Sequence, residues 1–539
     1  MMKRYLYLML LLIFFTPIVF AIDDSNNGYH LPQFSQKIVP EFIERPIEYN
    51  QVLPKASNLI DLTDDKKRFF VKKIRIKNNT VLTRVTLLPI IETYVGKKVS
   101  MAQLYQLRFE INQLYIKEGF ISSGVYLPDQ KITDGTVIFN AIEGKLGDLE
   151  IAGNKNLSRQ YFVTKFKRFF TSALNVNSLR EKIEELKMHP SINHIHSVLE
   201  PGERTGLSTL KIRISEVTPF QLSLGVDNYR SPVIGSERLY IVGIHKNVTG
   251  YSDSLSAQVG ITKGLKDYSV QYKIPFEKLN SAVALYFIQS DAQILESNQV
   301  DLDLESHSRL LGLKWSWKGA SGLGYSGGYE NSRSKIDGLP SICDSDGTGS
   351  DKTCALHIVV LDTFWNSSAD YQKQNISFTV RKGLAAGYQE FTTINTLYDY
   401  SRSIKSINAM LRLDSKFQYA IDDIPDSEKM SLGGVSTVRG YRENTLVRDI
   451  GLRVSGEWIQ ALGYWNTYIT TFIDYGLAWN KVSASNKEHL ISVGGGLSWR
   501  GIKALNTEIF LGVPLLKRPV EYDNLQDYGL HLSLQYQVF

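Results

Sequence analysis

The chain has 539 residues, of which 43% are hydrophobic and 22% charged, and a formal net charge of +6. That length allows several domains, and that balance excludes a helical membrane bundle and a disordered chain. The positive charge is dispersed with no concentrated basic block, so nucleic acid is not an expected partner.

Residues 1–21 read as a secretory signal peptide. Lys3 and Arg4 form its charged start, an apolar run follows from Tyr5 to Phe20, and Val19-Phe20-Ala21 leads into a cleavage point. The run is shorter than the ~20 apolar residues of a spanning helix, and no later stretch approaches that length. Residues 22–67 are polar and broken by Pro32, Pro40, Pro46 and Pro54. No long helix survives that spacing, so an extended linker is expected.

Residues 68–144 pattern as one small α+β domain. A strand is predicted from Phe70 to Ile76 and a short helix from Leu87 to Tyr94. Ser100 caps a longer helix with Leu104, Leu107, Ile111 and Leu114 on one face and Gly119 at its end. Strands follow at 122–127 and 136–142. Residues 145–217 repeat the order β-α-α-β-β. A strand at 147–151 precedes a helix opened by Ser158 and a second helix capped by Asn177, with Leu179, Ile183 and Leu186 inward. Strands at 192–199 and 207–214 are joined across Pro201-Gly202. Two such units in succession form an internal repeat. The repeat resembles the POTRA domain, and Leu199-Glu200-Pro201-Gly202 with the strand after it looks like the second POTRA of two-partner secretion transporters. The resemblance implies that a free strand edge accepts an extended peptide.

From residue 218 to 539 helical spacing disappears and alternation takes over. Ile376, Phe378 and Val380 alternate with Ser377, Thr379 and Arg381. Leu411, Leu413, Phe417 and Tyr419 alternate with Arg412, Asp414, Lys416 and Gln418. Leu530, Leu532, Leu534, Tyr536 and Val538 alternate with His531, Ser533, Gln535 and Gln537. A charged inner face would ruin a dry sandwich core but suits a watered pore. About sixteen antiparallel strands of roughly ten residues, joined by alternating short and long connections, predict an outer-membrane β-barrel. Short turns belong on the periplasmic side, and an even strand number puts both ends there. The terminal Phe539 closes an alternating strand and resembles the C-terminal signal of inserted barrels. Cys343 and Cys354 flank a short polar loop, which in an exported chain reads as one local disulfide.

One stretch organises this region. Gly433 and Gly434 precede Val438-Arg439-Gly440-Tyr441 in a long loop at 421–449, giving one cation and one aromatic among turn-forming glycines. Two strands later comes Phe472-Ile473-Asp474-Tyr475-Gly476. Strand parity puts Phe472, Asp474 and Gly476 on one side and Ile473 and Tyr475 on the other. If the latter side faces lipid, Asp474 faces the inside and wants a partner, which Arg439 on an infolded loop supplies. These two stretches resemble the Val-Arg-Gly-Tyr loop and Phe-x-Asp strand motifs of the superfamily that holds barrel-assembly proteins and two-partner secretion transporters.

The resemblance, within the ShlB/FhaC/HecB type, covers about 69–539. It implies a bacterial outer-membrane translocator with periplasmic POTRA domains that exports a dedicated large exoprotein, unfolded and without ATP. An adhesin, a cytolysin or a contact-dependent toxin would all fit as cargo. Other implied partners are outer-membrane lipid and lipopolysaccharide, and the barrel-assembly machinery and periplasmic chaperones during biogenesis. Family members commonly carry an N-terminal plug helix, and the prolines of 22–67 leave no convincing one. A barrel-assembly insertase and a passive porin or adhesin stay open as alternatives. The sequence contains no nucleophile elbow and no zinc-helix motif, Gly494-Gly495-Gly496 sits in an alternating run, and His189, His194 and His196 lack a completing ligand set. No enzyme activity, cofactor or metal is expected.

Overall fold

The computed structural model describes residues 68–538 except 133, 188, 190, 277–278, 296–304, 320, 337–352, 370, 385–388, 464–465, 484–485, 503 and 519–523. The expected signal peptide and linker, Cys343 and Phe539 lie outside the described residues. The chain divides into two compact units, one holding the two repeats and one holding the alternating strands.

In the first repeat, β1 (Lys73–Lys77), α1 (Arg84–Ile91), α2 (Met101–Lys117), β2 (Gly124–Tyr126) and β3 (Thr136–Ile142) follow the expected order. β3 is the central strand, parallel to β1 and antiparallel to β2. Ser100 does cap α2, completing a reciprocal capping box with Gln103. Leu104, Leu107, Ile111 and Tyr115 form the buried stripe of α2, against Val137 and Phe139. The short helix starts three residues earlier than its sequence suggests, because Thr83 accepts from Thr86 N and caps it. Phe69–Phe70 pairs with Lys98–Val99 as a separate ribbon, so the first strand begins later than expected.

The second repeat uses the same plan, with β4 (Lys145–Ala152), α3 (Arg159–Thr171), α4 (Val176–Lys187), β5 (Ile192–Pro201) and β6 (Leu207–Glu216). β6 is central, parallel to β4 and antiparallel to β5. Ser158 caps α3 as expected. Asn177 does not cap α4. Asn175 does, its Oδ1 accepting from the N–H groups of Asn177 and Ser178. The two asparagines compete for the role, and the second is already inside the first turn.

The repeat extends to a carboxylate device. Glu143, just past β3, accepts from the N–H groups of Thr80 at 2.5 Å and Val81 at 3.1 Å. Glu216, at the end of β6, accepts from those of Lys155 at 3.2 Å, Asn156 at 2.7 Å and Leu157 at 2.9 Å. In each repeat the last strand thus fixes the loop that enters the first helix. Charge-assisted bonds of this kind are the strong ones.

The second unit is a closed barrel of sixteen strands among the described residues, β7 (Phe220–Asp227) to β22 (Leu530–Gln537). Each strand is antiparallel to its sequence neighbour, and β22 closes on β7 through Ser533↔Asp227 to Gln537↔Ser223. Alternation sets the two faces. Ile376, Phe378, Leu411, Leu413, Phe417, Tyr419, Leu534 and Tyr536 are exposed on the outside, whereas Asp414, Gln418 and His531 are buried on the inside. The outer face suits lipid and the inner face water. The strand bounds leave short connections at 277–280, 319–322, 370–371, 405–408, 462–466 and 503–504, which alternate along the chain with longer ones at 294–304, 337–352, 421–449 and 515–529. The connections at 246–253, at the short-turn end, and at 262–264, at the long-loop end, depart from this pattern. The hairpin at 262–264 is tight, and the loop before it lies against it, with Gly264 N donating to Ile234 O at 3.1 Å.

Glu216→Ala is expected to speed amide exchange at Lys155, Asn156 and Leu157 at least tenfold, a factor equal to about 1.4 kcal/mol, while Thr80 and Val81 keep their protection. Hydrogen exchange by mass spectrometry on the full-length protein in detergent measures both.

Candidate functional site

The connection at 421–449 folds back into the lumen. Its base is a ribbon in which Met430–Leu432 pairs with Leu446–Arg448. Between the arms, Gly433, Gly434 and Gly440 hold φ values of 106°, 94° and 91°, a region that suits glycine. Gly440 is needed for space as well. A Cβ there would stand 2.8 Å from the Gly512 carbonyl carbon on β21 (Leu505–Pro514).

These turns deliver Arg439 to the inner wall. Its Nε donates to Asp474 Oδ2 at 2.8 Å and its Nη2 to Asp474 Oδ1 at 2.7 Å, a bidentate pair. The backbone N–H of Arg439 donates to the same Oδ2 at 3.0 Å. Nη1 donates to Glu457 Oε1 at 2.7 Å and Nη2 also to Ser455 Oγ at 3.0 Å. Ser455 in turn donates to Asp474 Oδ1 at 2.6 Å. Asp474 sits on β19 (Thr467–Trp479), and Ser455 and Glu457 on β18 (Ile450–Ala461). The two strands pair Ser455↔Asp474 and Glu457↔Phe472, which puts the three polar groups side by side on the inner face.

The site is dry. Arg439 is 2% exposed, Asp474 0% and Glu457 5%. The Phe472 ring lies 3.6 Å from the guanidinium carbon and the Phe510 ring 5.5 Å from it. A planar guanidinium accepts such stacking, and an ammonium does so less well. Charge is balanced in pairs, because Arg412 approaches the free oxygen of Glu457 at 3.9 Å.

The neighbouring motif residues have separate tasks. Tyr441 is buried, and its hydroxyl lies 3.0 Å from Ile491 O and 2.9 Å from Leu516 O, tying the loop to β20 (Glu488–Ile502) and to the start of the next loop. Val438 packs with Leu432, Leu446 and Leu490, and its Cγ2 stands where a Cβ on Gly476 would be, 2.9 Å away. Arg442 makes a fork on Asp527, with Nη2 to Oδ2 at 2.6 Å. Sequence reading brought Arg439 to Asp474 and missed Ser455, Glu457, Phe510 and Gly512. Ser455 and Glu457 stand on the polar parity of β18, and that alternation was the available signal. Of the expected disulfide, Cys354 on β14 (Thr353–Ala369) is disulfide-bonded, and Cys343 lies outside the described residues. His189 Nδ1 accepts from Ser191 N, and His194 and His196 are exposed, paired across the sheet with Ser215 and Arg213. No metal-binding group of side chains occurs among the described residues.

A closed barrel with a polar interior, a lipid-suited exterior and an infolded arginine loop, preceded by two β-α-α-β-β repeats, is the architecture of an outer-membrane β-barrel protein. Comparison with known proteins makes this specific. Residues 69–144 match the POTRA domain of ShlB type, and residues 206–501, more than half of the chain, match the haemolysin secretion/activation protein ShlB/FhaC/HecB family. The heme/hemopexin transporter protein HuxB of Haemophilus influenzae is 24% identical over 486 residues, covering 82% of this chain and 83% of that protein. The hemolysin transporter protein HpmB of Proteus mirabilis is 24% identical over 293 residues, covering 51% of this chain and 50% of that one. CdiB from Escherichia coli shares the fold with a TM-score of 0.64 at 16% identity, covering 90% of this chain and 93% of that one. CdiB from Acinetobacter baumannii does so with a TM-score of 0.60 at 17% identity. The chain belongs to the ShlB/FhaC/HecB family, the outer-membrane transporters of two-partner secretion.

Removing the Arg439 side chain leaves the buried Asp474 carboxylate without its cation and Glu457 with the more distant Arg412, a change that costs about 3–5 kcal/mol. Arg439→Ala is therefore expected to free the loop tip, and Gly440→Ala to do the same by collision with Gly512. Trypsin applied to the detergent-solubilised protein measures this, with new cleavage at Arg442 or Arg448 expected in both variants and the heat-modifiable migration of the closed barrel retained. A loop as resistant as the parent's would count against the assignment.

Proposed function

We propose that the protein recognises one dedicated exoprotein in the periplasm through its two repeats and exports it, unfolded and without ATP, through the barrel lumen. The observation that carries this reading is the arginine site. A pore that only conducted solutes would need no loop fixed in its lumen by a buried bidentate pair, three further hydrogen bonds and an aromatic lid. Arg439, held by Asp474, keeps the loop at one place on the wall as the chain passes. The names of HuxB and HpmB, which specify heme/hemopexin and hemolysin transport, support an exoprotein cargo of this general kind.

Capture has a matching surface. The last strand is central in each repeat, so two edges of each three-stranded sheet are unpaired by any strand among the described residues. The longest is β5, with ten residues. An extended segment can add to such an edge by main-chain hydrogen bonds. The match of 206–501 to the ShlB/FhaC/HecB family favours this reading over an insertase.

Arg439→Ala or Asp474→Ala is expected to stop secretion of the partner while the barrel still assembles in the outer membrane. Deleting 69–217 is expected to stop secretion while the barrel still conducts ions. Secretion is read by immunoblot of the culture medium and conduction in planar bilayers. Normal secretion by both point variants would refute the role given to the pair.

A further inference from the structure

Arg439 holds the tip of the lumen loop, and a separate group of charges meets its base. Arg381 lies on β15 (Gln372–Leu384) and faces the lumen. Its Nε donates to Glu428 Oε2 at 2.8 Å and its Nη2 to Glu428 Oε1 at 3.1 Å. Nη2 also donates to Glu330 Oε2 at 2.8 Å, on β13 (Leu323–Ile336). Glu330 Oε1 accepts from the Tyr286 hydroxyl at 2.7 Å, on β11 (Ser281–Gln293). Glu428 closes the 3-10 turn Asp426–Glu428, immediately before the ribbon that forms the loop's base. A line of four side chains thus runs from the wall at Tyr286 to the loop.

This arrangement does more than balance charge within the wall. Glu330 alone would neutralise Arg381. Instead the flat fork of the guanidinium is spent on Glu428, with two nitrogens on one carboxylate, and Glu330 takes a further bond from one of them. The same turn has a second tie, because Gln418 Nε2 donates to the Glu428 carbonyl at 2.8 Å. The wall strand that carries Arg381 is distinct from those that carry Ser455, Glu457 and Asp474. The loop is therefore held to two separate parts of the circumference.

The two holds differ in solvation. Arg381 is 15% exposed and Glu428 9%, and no aromatic ring stacks on that guanidinium among the described residues. The Arg439 site is drier and lidded by Phe472. Water can take over the bonds of the first pair more readily than those of the second, so the first breaks at lower cost.

We propose that Arg381 is a second anchor of the lumen loop, holding its base through Glu428, and that this anchor yields when the pore opens while the Arg439 site stays closed. Arg381 is in this sense a positioning residue for transport.

The test is conductance of the full-length protein in planar bilayers, which needs no secreted partner and so stands apart from the transport reading. Arg381→Ala and Glu428→Gln are each expected to raise mean conductance at least threefold over the parent. The double variant adds nothing to the larger single effect, since both changes cut one bond. Glu330→Gln leaves the Glu428 contact in place and conducts as the parent does. Heat-modifiable migration confirms a closed barrel in each. Parental conductance in both Arg381→Ala and Glu428→Gln overturns the proposal. So does a rise confined to the Arg381 variant, or an equal rise in Glu330→Gln. Should Arg381→Ala fail to assemble, Glu428→Gln decides alone, because Glu428 belongs to the loop and to no barrel strand.

Discussion

A guanidinium removed from water is stable only when its donors are used and its charge is met. Arg439 satisfies both conditions on the inner wall, with Asp474, Glu457 and Ser455 taking its donors. The rest of the lumen depends on that fact. Apolar burial holds the loop at Ile424, at Val435 against Phe472 and Phe510, at Val438 and Tyr441, and along the short ribbon. Apolar contacts have no direction, so the buried pair sets the orientation of the loop tip, and the glycines allow it to get there. Because removing one partner leaves the other charge stranded, the site favours a single bound arrangement over a series of loose ones.

The wall is shaped to receive the loop as well as to bind it. Gly476 leaves room for Val438, and Gly512 leaves room for the backbone at Gly440. Gly494 makes space for Phe472, whose ring would otherwise meet a Cβ at 2.3 Å. Phe472 can then lie flat over the guanidinium. A strand interior is a costly place for glycine, since it gives up backbone entropy and packs no side chain. Here each of these glycines has a particular atom in front of it.

Much of this was legible in the sequence, for reasons that differ by region. The period of two in the strands and its apolar and polar faces are local properties, so the barrel could be read from 376–381 and 411–419. Ser100 could be read as a cap because nothing nearby competes with it, whereas Asn175 and Asn177 do compete. The meeting of Arg439 with Asp474 followed from parity and from the need of a buried carboxylate for a partner. Glu457 and Ser455 did not follow, because their place beside Asp474 depends on the register between β18 and β19, and register is a long-range property. Phe510 and Gly512 come from a strand further on. The carboxylates Glu143 and Glu216 were missed for the same reason. Each meets a loop about sixty residues earlier, and no local pattern marks a loop amide as waiting for an acid.

Register also explains why so hydrophilic a wall folds one way. Ile473 is 57% exposed on the outside of β19, while Asp474 beside it is fully buried. A slip of one residue would turn Asp474 toward lipid and Ile473 into the polar lumen. A carboxylate on the lipid face is destabilising, though by less than an Arg or Lys there, and the slip would also strand Arg439. The penalties fall on one strand and point the same way. The arginine site thus contributes to the barrel it sits in, because the correct strand register is the one that brings Ser455, Glu457 and Asp474 onto one face.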